Sequence, residues 1–277
     1  MPRRKSLSLL VGLDPFLVLS RAAVAQGSPP RADPGPWDSL LKEFVNNQHR
    51  VDYTRLHKDG LPRLNEYIAS LGRSGTRSLS PNEKKALFIN AYNAFTIQWV
   101  LQNYPIASIW KTSSPFTKAR QRLGGKMVSL DEIESELRAM GDPRIHAALV
   151  CAARSCPPLR REAYVPDRLD GQLDDNVREW LANPVLNRFE PSQGKAQISP
   201  IFKWYRRDFD AYPGGLEGFL RKYGPSGLAQ GDGSERLKTD FQDYDWGLND
   251  QSDLGSKYSK VQFTVDWLRN RIFGSSR

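Results

Sequence analysis

Both cysteines of the chain, Cys151 and Cys156, and one of its three histidines, His146, fall within eleven consecutive residues. A thiol becomes a good nucleophile at neutral pH only when a neighbouring base or positive charge helps ionise it, and imidazole is the usual supplier. With an ordinary pKa near 8.5, only about 3% of a thiol is ionised at pH 7, whereas a pKa of roughly 6 ionises most of it. The apolar run over residues 147–150 lies between the imidazole and the first sulfur, so the reactive groups flank a segment that must be buried. Thiol chemistry is therefore the sharpest expectation the sequence offers.

In that reading Cys156 or Cys151 is the nucleophile of a hydrolase or an acyl or peptidyl transferase, and His146 is its base. Cys156 is preferred, because Pro157 at the first position of a helix would leave its sulfur near a positive dipole end. Asn90, Asn93 or Glu134 would orient the imidazole, as an Asn does in some thiol hydrolases. Arg144 or Lys203 could hold a substrate carboxylate, with Tyr92 and Trp204 beside the substrate. Trp204, Tyr205 and Phe209 either fill the core or wall a cleft that has Lys203 and Asp208 at its mouth.

Three other readings stand beside this one. A disulfide between Cys151 and Cys156 is natural in an exported protein, although closing so short a loop stabilises by only about 2 kcal/mol. A metal could use His146 and the two cysteines with Glu134 or Asp142, but the spacing matches no zinc pattern, and no cofactor is expected. The domain could instead be a non-catalytic scaffold or binding module for a small-molecule or peptide ligand. His49 and His57 sit in polar, basic surroundings and read as surface residues.

The elements that must position these groups follow from periodicity. Trp37, Leu40, Leu41, Phe44 and Val45 have helical spacing, as do Leu61, Leu64, Ile68 and Leu71. Ser80, Pro81 and Glu83 form a helix start, opening a helix from Asn82 to about Asn103. That helix is apolar around most of its circumference, so it should be central and buried. Asn90 and Asn93 lie inside it, and a buried amide without partners costs about 1–3 kcal/mol, so each must be hydrogen-bonded. Gly124-Gly125 suggests a turn beside a short strand. Ser129 with Glu132 opens a further helix through Met140. Residues 145–151 read as a buried strand or short helix, and Pro157-Pro158 forbids regular structure beyond. Later helices are expected from Asp167 to about Leu181, around residues 201–209, from Leu216 to Tyr223, and from Tyr258 to Phe273, with one or two strands over 187–198.

A length of 277 residues, 39% of them hydrophobic, is that of a globular protein rather than a disordered one. The formal charge is +9, of which residues 1–31 supply +4. Basic and acidic residues alternate through the body, so the surface reads as basic and solvated, and nucleic-acid binding gains no support. Arg3-Arg4-Lys5, the apolar stretch from Leu7 to Leu19 and Ala23-Val24-Ala25 have the layout of an export signal over residues 1–25. The expectation is export to a periplasmic or extracellular space, with no transmembrane segment in the mature protein. A Pro/Gly linker follows over residues 26–36. Oligomeric state is not legible.

Taken together, the motifs resemble the bacterial and plant domain DUF547. The matching stretches are residues 88–94 (FINAYNA), 129–134 (SLDEIE), 142–146 (DPRIH) through 156–159 (CPPL), and 201–205 (IFKWY) followed by Asp208 and Phe209. They cover roughly residues 40–225, and residues 244–249 (YDWGLN) resemble a segment found beyond the core domain. The resemblance implies an α+β fold, a mostly helical single globular domain with a small β component. Residues 37–225 would form the domain, with residues 226–277 as an extension packed on it. One departure stands out: the family pattern usually places a His after the Ile-Glu pair, and here that position is Ser135. The resemblance brings no reaction with it.

Overall fold

The computed structural model describes residues 31–228 and 237–273. The expected export signal and residues 26–30 of the expected linker lie outside the described residues. Helix α1 (Gly35–Phe44) already begins within the linker's last residues, and buries Trp37, Leu40, Leu41 and Phe44. A single turn, α2 (Tyr53–Arg55), is capped by Asp52 and runs through a π-helical turn at Leu56–Gly60 into α3 (Leu61–Arg73).

Helix α4 (Pro81–Gln102) is the axis of the fold. Ser80 and Glu83 form a reciprocal capping box around its first turn, with Pro81 at the position where a missing N–H costs nothing. From Ala86 to Leu101 almost every residue is buried, because α3 and α6 pack against it from different sides. A short helix α5 (Pro115–Lys118) leads into the hairpin β1 (Gln121–Leu123) and β2 (Lys126–Val128). Its turn needs positive φ at both Gly124 and Gly125, which glycine supplies without strain. Helix α6 (Leu130–Arg138) starts on a second capping box, Ser129 with Glu132.

The segment holding the cysteines forms one helical turn, α7 (Ile145–Ala148), and then runs irregularly through residue 165. Helix α8 (Leu169–Ala182) follows a 3-10 turn at Pro166–Arg168. Strands β3 (Arg188–Glu190) and β4 (Lys195–Ile198) pair antiparallel, and β5 (Lys238–Phe241) adds to β4 in parallel, with Ile198 opposite Phe241. Helices α9 (Ile201–Trp204), α10 (Arg206–Asp210) and α11 (Gly215–Tyr223) come between β4 and β5, and α12 (Lys260–Phe273) ends the described chain. The fold is thus α+β and mostly helical. Among the described residues no helix is long and apolar enough to cross a membrane.

Two apolar clusters make the core. The larger surrounds α4, and the smaller is built on Trp180, Phe202, Phe209 and Phe219. Helix α7 lies on the seam, since Ala147 belongs to the smaller cluster and Ile145 and Ala148 to the larger. Residues 245–251 strap across this seam. Arg154 N–H donates to Gly247 O at 2.7 Å, Asn249 N–H to Ala152 O at 3.0 Å, and Val51 N–H to Asn249 O at 2.9 Å. The strap passes so close to its own return that a Cβ on Gly255 would stand 2.0 Å from Leu248 O. Glycine is required there by contact, not by torsion.

Candidate functional site: a thiol pair on an aromatic cavity

The sulfurs of Cys151 and Cys156 lie 2.6 Å apart with no bond drawn between them. Cys156 is buried and Cys151 half-buried. The loop between them turns sharply at Ala152, whose φ of +63° is uncommon for a residue with a side chain. That left-handed turn aims backbone donors at one atom: Cys156 Sγ accepts from Cys151 N–H at 3.1 Å and from Ala153 N–H at 3.4 Å. Such a concave arrangement of N–H groups is a nest for an anion. Tyr244, brought in by the strap, donates its hydroxyl to Cys156 Sγ at 3.3 Å and lies 3.4 Å from Cys151 Sγ.

These contacts divide the two thiols. Burial works against a charge on Cys156, yet the hydrogen bonds from Cys151, Tyr244 and the two backbone N–H groups hold its pKa below the ordinary thiol value. Cys151 is driven the opposite way, first by its hydrogen bond to Cys156 and then by burial. The two shifts favour the negative charge on Cys156 and the proton on Cys151. No helix follows Cys156, so the expected helix dipole at Pro157 is absent and the nest takes its place.

Both sulfurs face a cavity of about 640 Å³ that is also lined by His146, Tyr92, Glu134, Trp204 and Tyr205. Tyr244, Trp246 and the α12 residues Phe263 and Trp267 complete the wall nearest the strap. His146 reaches this cavity without hydrogen-bonding either sulfur. Its Nε2 is 2.8 Å from Asp208 Oδ2, and its ring stacks on Tyr205 with centroids 4.1 Å apart. Burial pushes the imidazole down to about 4, although the Asp208 carboxylate pulls the other way. It is therefore neutral at pH 7, with Nε2–H donating to Asp208 and Nδ1 left as the basic nitrogen. Asp208 itself is held below the usual carboxylate range, against its own burial, by Arg138 and His146.

The orienting residue is thus Asp208, not Asn90, Asn93 or Glu134. Asn90 clamps the backbone of Tyr164 through both ends of its amide, at 2.8 and 3.0 Å. Asn93 does the same for the cysteine segment, donating to Ala148 O and accepting from Val150 N–H, each at 2.9 Å. Both therefore fix loops, and Asn93 sets the position of Cys151 indirectly. Glu134 accepts from the Tyr205 hydroxyl in the cavity wall, and burial nonetheless raises its pKa.

Arg144 does not line the cavity; its guanidinium is bonded to Asp142, Asp170 and Asp174. Lys203 lies over the ring of Phe241, on an exposed face. Neither is placed for a substrate carboxylate in this cavity. Trp204 and Tyr205 wall the cavity whereas Phe209 is core, so the aromatic stretch does both jobs expected of it in alternation. His49 is half-buried and bonded to Glu179 and to Leu159 O, and His57 is exposed beside Tyr104. Among the described residues no three His, Cys, Asp or Glu side chains converge as a metal ion requires. Ser135, where the DUF547 pattern usually has His, is exposed on α6 and does not line the cavity.

Tyr244 and Ala152 are the site residues that sequence reasoning passed over. Tyr244 stood in a noted motif, but nothing in its spacing announced a contact with sulfurs some ninety positions earlier. Ala152 carries no sequence signal, since alanine is not the residue that marks a positive φ.

Residues 76–181 match the family model DUF547, described as a protein of unknown function. That segment runs from before α4 to the end of α8, so His146, Cys151 and Cys156 all lie within the matched residues. No curated protein and no solved structure matches the chain.

Proposed function

We propose that the cavity is the active site of a thiol-dependent hydrolase or acyl or peptidyl transferase acting on a small amide, peptide or thiol substrate. The carrying observation is the set of donors on Cys156 Sγ: two backbone N–H groups, the Tyr244 hydroxyl and the Cys151 thiol. A sulfur with only a packing role gains nothing from four donors, whereas a thiolate is stabilised by each of them.

In this reading the Cys156 thiolate attacks a substrate carbonyl carbon, forming a C–S bond as the C–N bond breaks. The departing nitrogen takes its proton from the Cys151–Tyr244 pair. Water or an acceptor amine then attacks the thioester, giving its proton to His146 Nδ1; the Cys156 thiolate leaves, and the imidazolium returns that proton through cavity water to the Cys151–Tyr244 pair, restoring the starting state. Asp208 holds the imidazole and balances the imidazolium that this step forms.

Alkylation with iodoacetamide tests the reading, because trypsin cleaves after Arg154 and separates the two cysteines. Cys156 should label with a pH midpoint at least one unit below that of a model thiol, and Cys151 should lag. Equal, slow labelling of both at model-thiol rates removes the proposal. The closeness of the sulfurs favours a second reading, a structural disulfide in a non-catalytic module. An approach of about 0.5 Å, with loss of two protons and two electrons to an external oxidant such as a disulfide reagent or oxygen, makes the bond. Intact mass with and without reduction separates the two readings.

A further inference from the structure

The charge of the cavity runs against the charge of the chain. The protein carries a formal +9, yet the ionisable lining beyond the thiols and His146 is Asp131, Glu134, Asp243 and Lys260. Lys260 is ion-paired to Asp243, so those two cancel. Asp131 and Glu134, one turn apart on α6, have no ion-pair partner among the described residues, although most acidic side chains near them do. His146 adds no positive charge at neutral pH, and its side chain, 2% exposed, leaves Nδ1 unpartnered in the same cavity.

Aromatic rings form the rest of the mouth. Trp204 and Trp246 stack with centroids 5.8 Å apart, and Tyr244 meets both rings. Trp204 is 48% exposed, which is unusual for so large an apolar side chain unless something covers it in use. Tryptophan faces next to unneutralised carboxylates are the physical requirement for holding an organic cation, through ring quadrupole and Coulomb attraction together.

We propose that the cavity selects substrates bearing a positively charged group, an ammonium or guanidinium, held between Glu134 and Asp131 on α6 and the Trp204–Trp246 rings. This rests on the thiol active-site reading for what happens next, but the charge selection is a property of the cavity itself. It also reverses the sequence-based expectation of a substrate carboxylate bound by Arg144 or Lys203. A carboxylate entering here meets the carboxylates of Asp131 and Glu134 and, among the described residues, no free cation, and like-charge juxtaposition is an effective means of rejection.

Three alkylating agents of different charge, applied to the full-length reduced protein, test this. They are (2-bromoethyl)trimethylammonium, iodoacetamide and iodoacetate, which form irreversible thioethers that Cys151 cannot exchange away. Each rate at Cys156 is divided by the rate of the same reagent with a free thiol. The cationic reagent should then exceed the anionic one by tenfold or more, with the ratio falling at least threefold in the double variant Asp131→Asn, Glu134→Gln. Glu134→Gln keeps an acceptor for the Tyr205 hydroxyl, so the wall is retained. A normalised ratio at or below unity, or one that the double variant leaves unchanged, overturns the proposal. The iodoacetamide rate reports separately on the thiol. If it is slow while the charge ratio holds, the catalytic reading fails and the cation site stands.

Discussion

Replacing Tyr244 by Phe isolates one of the donors on the Cys156 sulfur. The ring contacts with Trp204 and Trp246 stay, and only the hydroxyl 3.3 Å from Cys156 Sγ is removed. A hydrogen bond to a charged group contributes about 1.5–3 kcal/mol, and one pKa unit is about 1.4 kcal/mol, which bounds the shift at about one to two units. Tyr244 lines the cavity, so water can fill part of the vacated place and about one unit is the expected change. The sign is upward, because the lost bond stabilised the thiolate. A thiolate of higher pKa is intrinsically more nucleophilic, with a Brønsted slope near 0.4–0.5, so the plateau rate at high pH should rise about threefold. The assay is the pH dependence of iodoacetamide incorporation at Cys156, read by peptide mass. A midpoint that moves by less than about 0.3 unit, or moves down, refutes the claim that these donors ionise the sulfur; Cys156→Ser supplies the blank.

Stability should depend on pH through His146. Its pKa is pushed down to about 4 in the folded protein from an ordinary 6.5, so between those values the unfolded chain binds a proton that the folded one refuses. Stability then falls as pH is lowered across that window, by up to about 3 kcal/mol, and His146→Gln should flatten the dependence of the urea midpoint between pH 7 and 4.5. Further loss is expected from pH 3.8 down to about 2, where the Asp142 carboxylate that pairs with Arg144 and Lys85 becomes protonated. Asn93→Ala leaves the buried Ala148 carbonyl and Val150 N–H without partners and should cost about 3 kcal/mol in urea denaturation. A cost below about 1 kcal/mol would show that the cysteine segment holds its place without the amide.

Much of the fold was legible from residue order because its signals are local. The two capping boxes, at Ser80 and Ser129, need only residues three apart, and both helices begin where those boxes put them. The burial of α4 follows from apolar residues around its whole circumference, and the turn at Gly124-Gly125 from the need for positive φ. The buried amides of Asn90 and Asn93 had to be hydrogen-bonded, and they are, but their partners are backbone groups more than fifty positions away. Which partner an amide finds is a question of packing, and periodicity is silent on it.

Residue types and spacing by themselves determined that a thiol pair and an imidazole share one short buried segment, and that the helix after Ser80 must be central and buried. Only the tertiary structure decided which atoms meet. Asp208 rather than an Asn takes the imidazole, a left-handed turn at Ala152 rather than a helix end cradles Cys156, and Tyr244 arrives from the far end of the chain. The reason is that hydrogen bonds and charge act over a few ångströms in space. The strap and the two apolar clusters, not sequence distance, set which groups come that close.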